Sequence, residues 1–227
     1  MPTPIILSFI AIIIGYLCGS IPVGLWIGKL VLKADIRDYG SGTTGATNVI
    51  RTCGLKWGII VFFIDIFKSI IPTLITVIAS NNEIVPIWTP PIIGISIMIG
   101  HNWPVFANFH GGKGVAVGLA TLFVMSPFSG VLAFSIALII MLSTKYVSVG
   151  SMIGSAVGGI GLFLQITMED FPIEMIQTRD FSYVIFAIGG TALTLYKHKD
   201  NVERLLKGRE MKLGEPAKKI NLQEIHD

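Results

Sequence analysis

Apolar residues run through this chain in long blocks separated by short polar stretches. Met1 to Gly28 carries no charged side chain, and neither do the 31 residues Gly114–Thr144, the 23 of Tyr146–Met168 or the 16 of Phe181–Tyr196. A membrane-spanning helix needs about 20 mostly apolar residues. The blocks therefore predict an all-α, polytopic integral membrane protein. The first expected span is Ile5 to about Ile27, the second Leu55 to about Ala79, and the third a short one, Trp88–Gly100. Tyr146–Ile166 and Phe181–Tyr196 close the series.

Gly114–Thr144 reads either as one tilted helix or as a tight pair. At its middle lies Ser126-Pro127-Phe128-Ser129-Gly130, which is turn chemistry. Charge separates the readings. Eight of the 17 Lys and Arg lie in the last 31 residues and five more between Lys29 and Lys56. Ser80–Pro91 holds only Glu83, and Thr167–Asp180 holds four carboxylates against Arg179. Basic loops stay cytoplasmic, and one long helix would place the basic tail outside. A pair gives about seven transmembrane helices, with the N-terminus outside and the C-terminus cytoplasmic. The N-terminal run lacks a basic n-region and a small-x-small cleavage site, so it reads as a retained span rather than a signal peptide. Residues 1–213 are expected to form one membrane-embedded domain whose active site faces the cytoplasm, and 214–227 a loose tail.

Composition agrees, with 52% apolar and 14% charged residues and a mean hydropathy of +0.73. Soluble domains carry about 25% charge. Cys18 and Cys53 are too few for a disulfide scaffold and are expected to stay reduced.

Three polar clusters fall on the expected cytoplasmic face. Gly40-Ser41-Gly42-Thr43-Thr44-Gly45-Ala46-Thr47-Asn48, with Arg51 beyond it, combines glycines that let N–H groups converge with hydroxyls and a guanidinium suited to phosphate. Alone it would also serve as a flexible connector. Gly111-Gly112-Lys113-Gly114 opens an apolar helix, placing free N–H groups and a lysine at a positive helix end. It is not a P-loop, because Val115 occupies the hydroxyl position. His101 and His110 lack zinc-site spacing and are better read as bonding backbone carbonyls. The third cluster runs from His198 to Glu210, with His198 and Asn201 on one helix face. Its lysines also suit anionic lipid. Asp65 and Lys68, three apart inside the second span, read as neutralising each other, since charge there is costly. Lys145, Ser148 and Ser151 sit at another inner helix end.

The combination resembles a known family. Gly19-Ser20-Ile21-Pro22-Val23-Gly24, then Gly-Ser-Gly-x-x-Gly-Ala-Thr-Asn from Gly40 with Arg51, then Gly-His-x-x-Pro-x-Phe from Gly100 with Gly-Gly-Lys-Gly-Val-Ala, then His-x-x-Asn-x-x-Arg-Leu-x-x-Gly-x-Glu from His198 is similar to the acyl-phosphate:glycerol-3-phosphate acyltransferases of the PlsY type. The likeness runs from Gly19 to Glu210, departing at Thr43, where the family has Asn, and at Val202, where it has Ile.

The resemblance implies transfer of a fatty acyl group from acyl phosphate to the 1-hydroxyl of glycerol 3-phosphate. The products are lysophosphatidate and phosphate, in the first step of bacterial phospholipid synthesis at the inner membrane. It implies no metal or organic cofactor, no nucleic acid partner, membrane lipid as surroundings, and coupling to the enzyme that makes acyl phosphate. Ser41, Arg51, Lys113, His198 and Asn201 are the implied catalytic set. Gly40, Gly42, Gly45, Asn48, Gly111, Gly112, Gly114, Ser151 and Glu210 are the implied substrate-binding residues, Glu210 more as a clamp than a base. Rival readings are a transporter of a small phosphorylated anion, which would want inverted halves and mid-span charges, and a non-catalytic scaffold.

Overall fold

The computed structural model describes residues 3–168, 171 and 180–220. All its regular elements there are helical. In chain order they are α1 (Thr3–Gly19), α2 (Val23–Leu32), a 3-10 turn at Ile36–Asp38, α3 (Ala46–Cys53), α4 (Leu55–Asn81), α5 (Thr89–Asn102), a 3-10 turn at Val105–Ala107, α6 (Val115–Met125), α7 (Pro127–Thr144), α8 (Val147–Thr167), a 3-10 turn at Phe181–Tyr183, α9 (Val184–Lys197) and α10 (Lys199–Leu206). Thr3–Leu32, α4, α7 and α8 are long and apolar enough to cross a membrane, while α6 and the stretch ending in α9 are shorter apolar helices. Of the acidic stretch 167–180, residues 169–170 and 172–179 lie outside the described residues.

The polarity is inverted relative to a soluble core. Phe63, Phe67, Ile71 and Ile75 lie exposed along one side of α4, while Asp65, Lys68, Ser69 and Thr76 are buried on the other. In hydrocarbon, apolar faces need no cover, and buried polar groups must find partners inside the bundle. They do so between helices. Ser69 Oγ donates to the Val117 carbonyl at 2.8 Å, and Ser96 Oγ to that of Ile12 at 2.7 Å. Close packing comes from small residues. A Cβ on Gly19 would stand 2.2 Å from the Ile97 carbonyl oxygen and one on Gly100 2.1 Å from that of Tyr16, so α1 and α5 touch backbone to backbone. Gly150, Gly154 and Gly158 bring α8 nearly as close to Ala137 and Ala133 of α7, with Cβ positions 2.5, 2.6 and 2.7 Å from them.

Two breaks shape the chain. The 114–144 block is two helices: α6 ends at Met125, and Ser126 caps α7 by accepting a hydrogen bond from Ser129 N at 3.1 Å. The first block also breaks, against expectation. Proline disfavours helical backbone in the residue before it and cannot donate to a preceding turn. With Pro22 as its N-cap, α2 is a separate helix.

The tail departs from its expected looseness. Gly40 N donates to Lys218 O (2.9 Å), Ala217 N to Arg51 O (3.2 Å) and Ile220 N to Asp38 O (2.8 Å). Residues 217–220 therefore form a strap along the first polar cluster, because the unpaired backbone groups of that loop accept a short extended segment. Residues 221–227 lie outside the described residues.

Candidate active site

Four connections meet at one end of the bundle. Arg37 Nη1 donates to Ala107 O at 2.9 Å, tying the α2–α3 loop to the α5–α6 loop. Arg51 Nη2 donates to Met211 O at 3.0 Å, joining α3 to the segment after α10. Leu213 N donates to Lys145 O at 2.7 Å, bringing in the α7–α8 turn. Lys113 Nζ donates to Asn201 Oδ1, linking the glycine-lysine loop to α10.

The centre of this network is Glu210, 8% exposed. Its Oε1 accepts from Asn201 Nδ2 and from Ser148 Oγ, each at 2.7 Å, and its Oε2 accepts from Arg204 Nε at 2.8 Å. Burial works against the charge, but the Ser148, Asn201 and Arg204 donors hold the carboxyl below the usual carboxylate range. Glu210 thus fixes Asn201, and Asn201 fixes Lys113.

Lys113 is the cation this arrangement leaves without a direct carboxylate contact, Glu210 and Asp200 acting on it only from a distance. Its one hydrogen bond goes to a neutral amide, and among the described residues no carboxylate pairs with it. Burial, with Arg204 and Arg51 nearby, lowers its ammonium from 10.5 to about 8. It stands at the start of α6, where Gly114 is left-handed (φ +79°) and free N–H groups face outward. Arg51 Nε is likewise buried without a partner. Two neighbouring cations close to a helix N-terminus are a combination suited to an anion.

His198 is 2% exposed. Its Nδ1 lies 2.7 Å from Thr194 O, which assigns the proton to Nδ1 and leaves Nε2 as an acceptor. Burial and the Lys113 cation push its pKa down to about 4, so the ring is neutral at pH 7.

In the first cluster, Asn48 is an organiser rather than a ligand group. Its Nδ2 donates to the carbonyls of Ile36, Tyr39 and Thr43, and its Oδ1 accepts from Ser41 N at 3.0 Å. Ser41 and Thr43 share a hydroxyl hydrogen bond of 3.0 Å. Gly40 and Gly42 hold positive φ (+59° and +68°), while Gly45 caps α3 with open space where a Cβ would be. The loop is seated by Gly24, where a Cβ would stand 1.8 Å from Thr44 O.

Beneath it lies a buried charge cluster. Lys68 Nζ is 2.8 Å from Asp65 Oδ1, 3.0 Å from Ile21 O and 3.2 Å from His101 Nδ1. The expected pairing of Asp65 with Lys68 is present, with His101 as a third member. The glycine pair rests on that histidine, since a Cβ on Gly111 would stand 2.2 Å from His101 O and one on Gly112 2.0 Å from His101 Nε2. His110 Nδ1 bonds the Asn108 carbonyl at 2.5 Å.

The structure brings together Arg51, Lys113, His198, Asn201 and Glu210, and joins the Ser41 loop to them through the strap. Ser151 is not in this polar network. It lines an apolar cleft below it, bounded by α6, α7, α8 and α9, with Met98 from α5. Ser148, one turn earlier, is the hydroxyl that reaches Glu210. Arg204 was missed, although it continues the three-residue stripe His198, Asn201, Arg204. Asn102 was missed as well: it is fully buried beside Gly114, and neither side-chain polar atom has a partner.

The fold and site define a multi-pass membrane protein with a cationic pocket above an apolar cleft. A family model described as glycerol-3-phosphate acyltransferase matches residues 9–208, and the chain belongs to that family, in its PlsY type. The glycerol-3-phosphate acyltransferase of Aquifex aeolicus is 39% identical over 199 residues, covering 88% of this chain and 95% of the relative. That of Thermoanaerobacter pseudethanolicus is 37% identical over 203 residues, covering 89% and 94%. The crystal structure of PlsY, an integral membrane glycerol 3-phosphate acyltransferase, in its glycerol 3-phosphate form superposes with a TM-score of 0.80 at 37% identity, covering 91% of this chain and 96% of that one. Its lysophosphatidic acid form gives 0.76 at 36% identity.

Proposed function

We propose that this chain transfers the acyl group of a fatty acyl phosphate to the 1-hydroxyl of sn-glycerol 3-phosphate, releasing lysophosphatidate and inorganic phosphate. The observation that carries the reading is the unpaired Lys113 ammonium at the α6 N-terminus, directly above the apolar cleft. A phosphate there neutralises it, and an acyl chain attached to that phosphate extends downward. An acyl phosphate already carries its leaving group, so the protein supplies position and charge rather than a nucleophile. Lys113 and Arg51, with the Ser41 loop, hold phosphate and offset the charge that develops on the carbonyl oxygen. Asn201 and His198 orient the glycerol hydroxyl, His198 through Nε2. With a pKa of about 4, His198 is a poor proton acceptor at pH 7. The substrate's own phosphate therefore takes the hydroxyl proton.

In the membrane, this reading has seven crossings, the N-terminus outside, and the polar end of the bundle in the cytoplasm of a bacterial inner membrane. Residues 1–213 work as one domain, and acyl phosphate comes from a partner enzyme. Purified protein in detergent, given palmitoyl phosphate and glycerol 3-phosphate, is expected to release phosphate and lysophosphatidate in equal amounts. Intact substrates would refute the proposal and favour an anion transporter.

A further inference from the structure

The cleft below the polar site runs along α9. At its mouth are Val115, two residues after Lys113, and Thr194, one turn before His198. At its inner end stand Leu122, Ala133 and Phe186. From Thr194 to Phe186 is eight residues of one helix, about 12 Å at 1.5 Å per residue. Phe186 is 5% exposed and cannot easily move aside. Its ring lies where a Cβ on Gly94 would meet it at 2.9 Å. One turn nearer the mouth, Gly190 also lines the cleft. A Cβ there would meet only ordinary contacts, 3.5 Å from Met98 Sδ and from the Phe186 ring. Along α9 the cleft is therefore lined by an aromatic ring at one level and by a residue without a side chain at the level above.

We infer that Phe186 and Gly190 set the length of acyl chain the site accepts, Phe186 as the stop and Gly190 as the space above it. The inference rests on the proposed acyl transfer and deepens it. A hydrophobic pocket discriminates by tenfold or more for each methylene that gains or loses a place. Removing the ring adds room at the end of the chain; adding a side chain at Gly190 removes it about one turn earlier.

The test uses the full-length protein in one detergent, glycerol 3-phosphate, and a graded series of saturated acyl phosphates, with lysophosphatidate as readout. The quantity compared is the ratio of kcat/KM for a longer donor to that for a shorter one. Measured on one preparation, this ratio is independent of the folded fraction, and donor partitioning into micelles is common to all variants. Phe186→Ala is expected to raise the ratio about tenfold or more, and Gly190→Val to lower it by a similar factor. If Phe186→Ala does not fold, Phe186→Leu gives the same direction with a smaller shift. Ratios that stay within about twofold of the parent in both directions, or that move the same way in both variants, overturn the inference while leaving the acyl transfer intact. Parent protein that yields no lysophosphatidate from any donor overturns the proposed activity, and the inference with it.

Discussion

Replacing Lys113 by Met separates what the site costs from what it does. Burial lowers the Lys113 ammonium from 10.5 to about 8, so keeping it charged at pH 7 costs the fold about 3 kcal/mol. Methionine removes that cost at similar length, but leaves Asn201 Oδ1 without its donor, a loss of about 1–2 kcal/mol. The net expectation is a gain of about 1–2 kcal/mol, or about 2–8 °C in Tm for a chain of this size. Acyl transfer should disappear in the same variant, as it should in Lys113→Ala and Arg51→Ala. The signature that distinguishes this account is in the pH dependence. Between about pH 8 and 10.5 the unfolded chain binds more protons at this position than the folded one, so stability rises with pH there. The parent should gain on Lys113→Met across that window, draw level within it and end about 1–2 kcal/mol the more stable at its top, the worth of the retained hydrogen bond to Asn201. Other titrating groups are common to both proteins and cancel in the difference. Thermal unfolding in detergent from pH 7 upward, with and without inorganic phosphate, measures this. Phosphate is expected to raise the Tm of the parent and to have little effect on the variant. A variant that is less stable at pH 7, or that responds to phosphate as the parent does, would refute the picture of a cation without a carboxylate contact awaiting an anion.

Glu210→Gln places an amide N–H against Arg204 Nε and removes the charge that three donors share, for a loss of about 1–3 kcal/mol at neutral pH. Because the folded-state pKa of Glu210 is depressed, its contribution is present above the ordinary carboxylate pKa and fades as pH falls through the folded value. Parent and variant melting curves should therefore converge in acid, and curves that stay parallel would count against the clamp. Asp65→Asn leaves Lys68 charged and buried, for a loss of about 3–5 kcal/mol, whereas replacing both residues with leucine should recover most of it. Equal unfolding temperatures for the single and double variants would contradict the pairing. His198→Ala should raise KM for glycerol 3-phosphate more than it lowers kcat. A variant whose turnover vanishes at unchanged KM would make His198 the base.

The sequence makes the helices of this protein legible because lipid imposes a coarse requirement. A span needs a charge-free block of a certain length, and such blocks survive any detail of packing. The turn at Ser126-Pro127 lies inside one such block and is legible for other reasons: Pro close to Gly is turn chemistry, and the charge of the flanking loops asks for two passes rather than one. The break at Pro22 is hidden, because the apolar pattern continues across it to Ile27 and only the backbone registers the interruption. The polar clusters are legible as clusters, since glycine, hydroxyl and cation in one short stretch signal an anion whatever their arrangement. What each member does is not. Asn48 has the composition of a ligand and the hydrogen bonds of a scaffold, with both ends of its amide used on its own loop.

The choice between Ser148 and Ser151 shows where such reading ends. Both are small hydroxyls in the first turns of α8, three residues apart on neighbouring parts of one face. Composition and spacing treat them alike. Glu210, 62 residues downstream, selects Ser148, and it does so because α10 and the segment after it fold back over the α7–α8 turn, fastened by the bond from Leu213 N to Lys145 O. The same fold-back carries residues 217–220 to the Ser41 loop, a contact across more than 170 positions that no local pattern encodes. A site assembled from four connections is therefore specified by the tail that ties them together. Its chemistry can be read from short motifs, whereas its geometry depends on distant backbone groups finding each other at one end of the bundle.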